Sequence, residues 1–93
     1  MIVVRLASAL RAHAGGAARI EVDLPPPVTL RAVMDAVDHD HPAVGRRLRD
    51  EAGGLRRHVN LFVGSDDVRT LDGLDTVVPD GMEVAVLPAV SGG

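Results

Sequence analysis

The sequence contains no cysteine and no lysine, and Phe62 is its only aromatic residue. Without cysteine, the chain can form no disulfide, no thiolate nucleophile and no thiolate metal site. A single aromatic side chain excludes the stacking platform on which single-stranded nucleic acids bind. The formal net charge of −3 argues against a nucleic-acid surface as well. All ten basic residues are arginine, for which a GC-rich genome is a sufficient explanation.

The length of 93 residues corresponds to one domain, with a core built from valine, leucine, isoleucine and alanine. No apolar stretch approaches the length of a transmembrane helix. Arg5 and Arg11 interrupt the apolar N-terminus before the core of a signal peptide can form. We therefore expect a cytoplasmic protein.

The N-terminal third of the sequence predicts a β-hairpin. Residues 1–6 are rich in β-branched side chains, and residues 19–24 alternate strictly between polar and apolar. Between them, Gly15-Gly16 is typical of a turn, so the two strands are expected to pair. The triproline at residues 25–27 cannot continue a sheet ladder and must leave the sheet.

Two helices are expected next. Thr29 is a good N-cap, and apolar residues recur at helical spacing over residues 29–39. Pro42 can open a second, short helix that passes through Leu48 and ends at Gly53-Gly54. We expect the arginines of this segment to be solvated: Arg46, Arg47 and Arg49.

The second half of the sequence predicts strands at residues 58–63 and 82–87, the latter ended by Pro88, with residues 68–71 pairing briefly between them. The first and last apolar strands are expected to lie side by side at the centre. The predicted fold class is therefore α+β, with a mixed sheet of four to five strands and one main helix packed on one face.

The sequence ends in the diglycine Gly92-Gly93. Because glycine is costly to hold in one conformation, residues 89–93 are interpreted as a flexible tail behind a domain of residues 1–88. The tail reaches roughly 17 Å beyond Pro88 when extended. A thin tail of Val90, Ser91 and two glycines can thread a narrow channel and present the α-carboxylate of Gly93 for chemistry. The alternative interpretation is an ordinary frayed terminus.

The order of the predicted elements and several sequence segments together resemble the ubiquitin-like sulfur-carrier family, which has the β-grasp fold and includes MoaD, ThiS and CysO. The resemblance covers nearly the whole chain, and within the family it is greatest to CysO. It is carried by these segments: the strand at 58–63, the turn region at 66–76, Asp80-Gly81, the ending at 87–93 and residues 10–16.

The resemblance implies a protein cosubstrate without a catalytic site or bound cofactor of its own. In this family an E1-like enzyme uses ATP to adenylate the C-terminal glycine, here Gly93, and a sulfur donor then converts it to a thiocarboxylate. A CysO-like carrier donates this sulfur to a PLP-dependent cysteine synthase, and a zinc metallopeptidase releases the cysteine. This pathway of cysteine biosynthesis is the one that we expect.

Two alternatives remain within the same mechanism: the small subunit of molybdopterin synthase (MoaD-like), which serves the large subunit of that enzyme, and a ThiS-like carrier, which serves thiazole synthase. A ubiquitin-like modifier that is joined to lysines of other proteins is an alternative of a different class. A third alternative is a non-catalytic interaction domain that uses only the sheet face and does not need the diglycine.

A carrier that visits several partners also needs a docking surface. The main helix covers one side of the predicted sheet and leaves the other side open. On that open side, Phe62, Leu87 and Ala85 are expected to form an apolar patch, with Arg5 and Asn60 around it. Phe62 is equally consistent with an ordinary core position.

The remaining polar clusters favour structural roles. His39-Asp40-His41, with Asp35 and Asp38 upstream, has residue types that bind metals, but the cluster lies where a helix is predicted to end. The acidic residues at 66–72 lack the spacing of an EF-hand and are typical of turns. The arginines at 46–49 and 56–57 indicate a solvated helix face, or a contact with an acidic partner.

Overall fold

The computed structural model describes residues 1–88, so the predictions for Val90, Ser91, Gly92 and Gly93 lie outside the described residues. Three short 3₁₀ helices accompany the strands and α-helices, at Ala12–Ala14, Val68–Thr70 and Gly73–Asp75. The strands and α-helices are, in chain order, β1 (Ile2–Leu6), α1 (Ser8–Arg11), β2 (Arg19–Val22), β3 (Val28–Thr29), α2 (Leu30–Asp40), α3 (Pro42–Leu48), β4 (Val59–Val63), β5 (Asp66–Asp67), β6 (Val77–Val78) and β7 (Glu83–Pro88).

Five strands form the main sheet in the order β2-β1-β7-β4-β5. The central strands β1 and β7 are parallel, with Val4 opposite Val84, and the other neighbours pair antiparallel. The predicted adjacency of the first and last strands is confirmed, as is a mixed sheet of the predicted size. A second, two-stranded sheet of β3 and β6 was not predicted.

The core lies between the main sheet and α2. Every second side chain of β1 and β4 is buried because successive strand residues point to opposite faces, and in β7 Val84 and Val86 face the core in the same way. The helix α2 buries its apolar stripe against them: Leu30, Val33, Met34 and Val37. The predicted N-cap is confirmed, since the Thr29 hydroxyl accepts a hydrogen bond from the backbone N–H of Ala32 at 3.2 Å.

The prediction that Arg49 is solvated is wrong. Its side chain is only 10% exposed, and its guanidinium donates hydrogen bonds to Asp35, at 2.8 Å, and to Asp38. Burial alone lowers the pKa of Arg49, but the hydrogen bonds and charges of the two carboxylates raise it by more, so the net pKa is raised. This ion-pair cluster ties the end of α3 to the polar face of α2.

The second helix also ends earlier than predicted. It stops at Leu48, because the chain extends at Arg49 and forms a bridge with Leu55. The glycines at 53–54 instead belong to a turn in which the Asp50 backbone N–H donates to the carbonyl of Gly54 at 2.8 Å.

Two further segments differ from the predictions. Residues 68–71 do not pair as a strand; β5 precedes them, and Asp67 then caps a 3₁₀ helix by accepting from the backbone N–H of Arg69 at 2.9 Å. The short helix α1 was not predicted, and it lies between the two strands of the hairpin. Within residues 1–88, no helix has the length and apolar character needed to cross a bilayer.

Candidate functional site

The open face of the main sheet, opposite α2, carries the five residues predicted to form a docking surface. Arg5 lies opposite Ala85, and Ala85 lies opposite Phe62, so these three form one row across β1, β7 and β4. Leu87 and Asn60 lie opposite each other on β7 and β4, and they form the next pair of these strands that points to the open face. We call these five residues the candidate docking face.

Exposure differs among the apolar members of the candidate docking face. Leu87 is 40% exposed, and Phe62 is partly exposed and absent from the buried core. Phe62 is therefore a surface residue of the sheet and not a core residue. Ala85, in contrast, is only 4% exposed. It sits in register between Arg5 and Phe62, so it forms the floor of the patch and not its contact surface.

Arginine side chains flank the apolar centre of the candidate docking face. Arg5 is half-exposed, and its Nε lies 3.4 Å from Oε1 of Glu83 on the neighbouring strand. On the opposite side, Arg69 donates to Oδ1 of Asn60 at 2.6 Å and to the backbone carbonyl of Val59 at 2.8 Å. The face can thus offer an apolar contact together with fixed guanidinium donors.

Sequence reasoning missed Arg69 as a member of this surface. Residues 68–71 were interpreted as a strand, which gave no reason to place the side chain against β4. The turn-forming aspartates before Arg69 were a usable signal, because Asp67 caps the 3₁₀ helix that carries this arginine back over the start of β4.

The other polar clusters make contacts within the fold. His39 is exposed, and its Nδ1 lies 3.1 Å from Oδ1 of the neighbouring Asp40. The backbone of His41 joins the two helices, since its N–H donates to Val37 of α2 and its carbonyl accepts from Val44 of α3. In the part of the chain from residue 1 to residue 88, no three histidine, aspartate or glutamate side chains converge as a metal site requires.

Comparison with known proteins identifies the relatives of the chain. Residues 4–93 match the model of the ThiS family. The sulfur carrier protein CysO of Mycobacterium tuberculosis is 36% identical over 94 residues, which cover 99% of this chain and 98% of that protein. The crystal structure of Mycobacterium tuberculosis CysO superposes with a TM-score of 0.85 and 35% sequence identity, covering 97% of this chain and 100% of that one.

Two further proteins are similar to this chain. A chain of the Amycolatopsis orientalis BexX/CysO complex superposes with a TM-score of 0.87 and 34% identity, over 100% of both chains. Small archaeal modifier protein 3 of Haloferax volcanii is 32% identical over 65 residues, which cover 70% of each protein.

Proposed function

This chain belongs to the ThiS family and is a CysO-like sulfur carrier protein, and from that membership we propose that its Gly93 carboxylate is the group that carries the sulfur. The resemblance to the sulfur carriers and the β-grasp fold are thereby confirmed. The observation that supports the role of Gly93 is the extent of the family match. It runs from residue 4 to residue 93 and so includes the diglycine.

The proposed chemistry proceeds in two steps on the tail. An E1-like enzyme joins a carboxylate oxygen of Gly93 to the α-phosphate of ATP, and pyrophosphate leaves. A sulfur nucleophile supplied by a donor then attacks the carbonyl carbon, AMP leaves, and a thiocarboxylate remains. A carboxylate is a poor electrophile, so this activation is required. The chain contains no cysteine thiol or lysine amine that could intercept the adenylate.

Residues 90–92 are proposed to be the part of the tail that a partner threads. Gly92 has no Cβ, which lets the backbone lie in a channel too narrow for other residues. Val90 and Ser91 precede it and complete the segment. The chain itself acts as a cosubstrate without a catalytic site of its own and binds no cofactor, and ATP is used by the activating enzyme. We place the reaction in the cytoplasm because it consumes ATP.

The proposed acceptor is a PLP-dependent cysteine synthase, followed by a zinc metallopeptidase that releases cysteine from Gly93. The identity with CysO over nearly the whole of both chains supports this pathway. A MoaD-like carrier, which serves the large subunit of molybdopterin synthase, and a ThiS-like carrier share the tail chemistry and differ in the acceptor. Incubating the sulfurated chain with each purified acceptor separates them, because only the cognate enzyme consumes the thiocarboxylate.

Mass spectrometry after alkylation tests the carrier function. The chain is incubated with ATP, an E1-like activating enzyme and sulfide, and then with iodoacetamide. Since the chain has no cysteine, alkylation of its C-terminal peptide reports a thiocarboxylate on Gly93. A mass gain alone is insufficient, because oxidation of a methionine has nearly the same mass as the exchange of oxygen for sulfur. The test uses an activating enzyme that is known to sulfurate another carrier of this family. If the C-terminal peptide is then not alkylated, the proposal is contradicted for that enzyme.

A second candidate function is protein modification, and the similarity to small archaeal modifier protein 3 supports it. The same activated tail would then form an isopeptide bond with lysines of other proteins. Lysine-linked adducts of the chain in cell extracts, mapped by peptide mass spectrometry, identify this function. A chain that acts only as a sulfur carrier gives none.

We further propose that the candidate docking face binds the partner enzymes. Replacing Phe62 with arginine is expected to weaken the complex with the activating enzyme about tenfold, because a partly exposed aromatic side chain at the centre of an interface is a typical binding hot spot. The unfolding temperature is expected to change little, since Phe62 is not part of the buried core.

Val77→Arg is the matched control for this prediction. Val77 is also an exposed apolar strand residue, at 58% exposure, but it lies on the second sheet, away from the candidate docking face. Isothermal titration calorimetry is expected to give an unchanged Kd for Val77→Arg. An equal loss of affinity in both variants, or an unfolded Phe62→Arg, would contradict the docking role.

A further inference from the structure

A groove of about 280 Å³ lies beside the end of β7, a central strand of the main sheet. Its apolar lining comes from three elements that are distant in sequence. Val59 at the start of β4 and Val86 and Leu87 near the end of β7 form one part, and Ala9 and Leu10 of α1 form the other. Val59 and Val86 are buried, whereas Leu87 is 40% exposed, so the groove deepens from the surface into the core.

The polar residues of this groove are all of basic type. His13, Arg47 and His58 complete its lining, and no carboxylate of residues 1–88 is part of it. Arg47 is exposed on α3, and its Nη1 donates to the backbone carbonyl of Ala43 at 3.0 Å, which holds the guanidinium at the helix surface. Three side chains with N–H groups therefore surround an apolar floor in a protein whose formal net charge is −3.

A second groove, on the other side of α3, has a different charge composition, so the basic lining is a feature of the groove beside β7 alone among these two. Four carboxylates line that groove, from Asp35, Asp38, Asp50 and Glu51, together with Arg46 and Arg49. There Arg49 is already paired with two of the carboxylates. The two neighbouring arginines of α3 thus differ in surroundings: Arg46 lines the acidic groove, and Arg47 lines the groove without carboxylates.

We propose that the groove beside the end of β7 binds a segment of the activating enzyme that presents one aliphatic side chain flanked by aspartate or glutamate. The aliphatic side chain would contact the floor of the groove, and the carboxylates would accept hydrogen bonds from Arg47 and the two histidines. This inference rests on the proposed function. Charge complementarity carries it, because the polar rim is entirely basic in type while the chain as a whole is acidic.

Continuity with the candidate docking face supports the same occupant. Leu87 belongs to both surfaces, so a partner that covers Phe62 also reaches the groove without a gap. Leu87 and Pro88 directly precede residues 89–93 in the sequence. A partner bound in the groove therefore contacts Leu87, two residues before the tail begins.

A charge reversal at neighbouring positions of one helix tests the groove. Arg47→Glu is expected to raise the Kd for the purified E1-like activating enzyme about tenfold, because it places a carboxylate against the proposed acidic segment. Arg46→Glu changes the net charge equally on the other side of α3 and is expected to change the Kd less than about twofold. Equal weakening by both variants, or by neither, would overturn the proposal.

A second pair of variants tests the groove without changing an arginine. Ala9→Glu places a carboxylate in the groove, whereas Ala12→Glu places one on the same surface segment outside it. Both alanines are exposed, so both variants are expected to fold, and thermal unfolding checks this. Only Ala9→Glu is expected to weaken the complex, by several-fold, and more strongly at low salt than at high salt.

The outcomes distinguish this inference from the proposed function. If the wild-type chain gains a thiocarboxylate and Arg47→Glu binds as tightly as wild type, the groove proposal fails and the carrier function stands. If the wild-type chain neither binds its activating enzyme nor gains a thiocarboxylate, the proposed function fails and the groove proposal fails with it.

Discussion

Deletion of Gly93, or its replacement by alanine, is expected to abolish thiocarboxylate formation and leave the fold intact. The carboxylate of Gly93 is the proposed site of adenylation. Deletion shortens the tail by one residue, so the terminal carboxylate then belongs to Gly92 and no longer reaches the position of adenylation. Alanine keeps a carboxylate at the correct position but adds a Cβ beside it, which a channel shaped for glycine excludes. The measurement is the fraction of C-terminal peptide that becomes alkylated after incubation with ATP, activating enzyme and sulfide.

Two controls make this result specific. The thermal unfolding of both variants is expected to match that of the wild type, because residue 93 lies outside the predicted domain of residues 1–88. Ser91→Ala is the matched control within the tail. It removes a hydroxyl from a tail residue without altering the diglycine, and it is expected to retain sulfuration within about twofold, because the smaller side chain still fits the channel proposed for the tail. Sulfuration of the chain that lacks Gly93 at the wild-type rate would refute the role of Gly93.

Replacement of Gly45 by alanine is expected to lower the free energy of unfolding by about 2 kcal/mol, the range of overpacked core sites. Gly45 is buried in α3, where a Cβ would lie 1.7 Å from Oδ1 and 2.9 Å from the backbone Cα of Asp38 in α2. The carboxylate of Asp38 can move only by leaving Arg49, and the backbone contact can relax only if the two helices separate.

The direction of the stability change in Gly45→Ala distinguishes a close helix contact from an ordinary helix interior. In an ordinary helix interior, a change from glycine to alanine stabilises by about 1 kcal/mol. A destabilisation at Gly45 therefore reports the close approach of α2 and α3. The measurement is urea unfolding, in which the midpoint is expected to fall at an unchanged m-value.

Gly54→Ala serves as the control for Gly45→Ala. A Cβ at Gly54 would meet only Asp50, at 3.7 Å, which is an ordinary van der Waals contact. Its stability is expected to stay within about 0.5 kcal/mol of the wild type, as for most surface substitutions. A Gly45→Ala variant that is as stable as the wild type would mean that α2 and α3 do not pack as closely as described.

The order and type of the longer elements could be predicted because short-range interactions decide them. The helix α2 illustrates this, since Thr29 caps it and its apolar residues recur within four positions of one another. Strict alternation likewise placed Phe62 on the face of β4 opposite Val59, Leu61 and Val63. The family resemblance was also readable from the sequence, and it carried the expectation for Gly93.

The errors concern contacts between residues that are far apart in sequence. Arg49 was expected to be solvated, but it lies within reach of Asp35 and Asp38, which precede it by 14 and 11 residues. Arg69 was not recognised, because its contact with Asn60 requires the chain to turn back over β4. The helix α1 has only four residues, too few for a periodic pattern to predict it.

Local periodicity and motifs were enough to predict the order of the longer elements, the cap of α2, the faces of β1 and β4, and the family to which the chain belongs. Three features could be read only from the three-dimensional structure: Phe62 is partly exposed, Ala85 is buried in register between Arg5 and Phe62, and a groove lined by Arg47 and two histidines lies beside the end of β7. These features depend on the strand register and on the packing of α1 and α3 against the sheet. Both are set by the joint burial of side chains from the whole chain, which no local segment specifies.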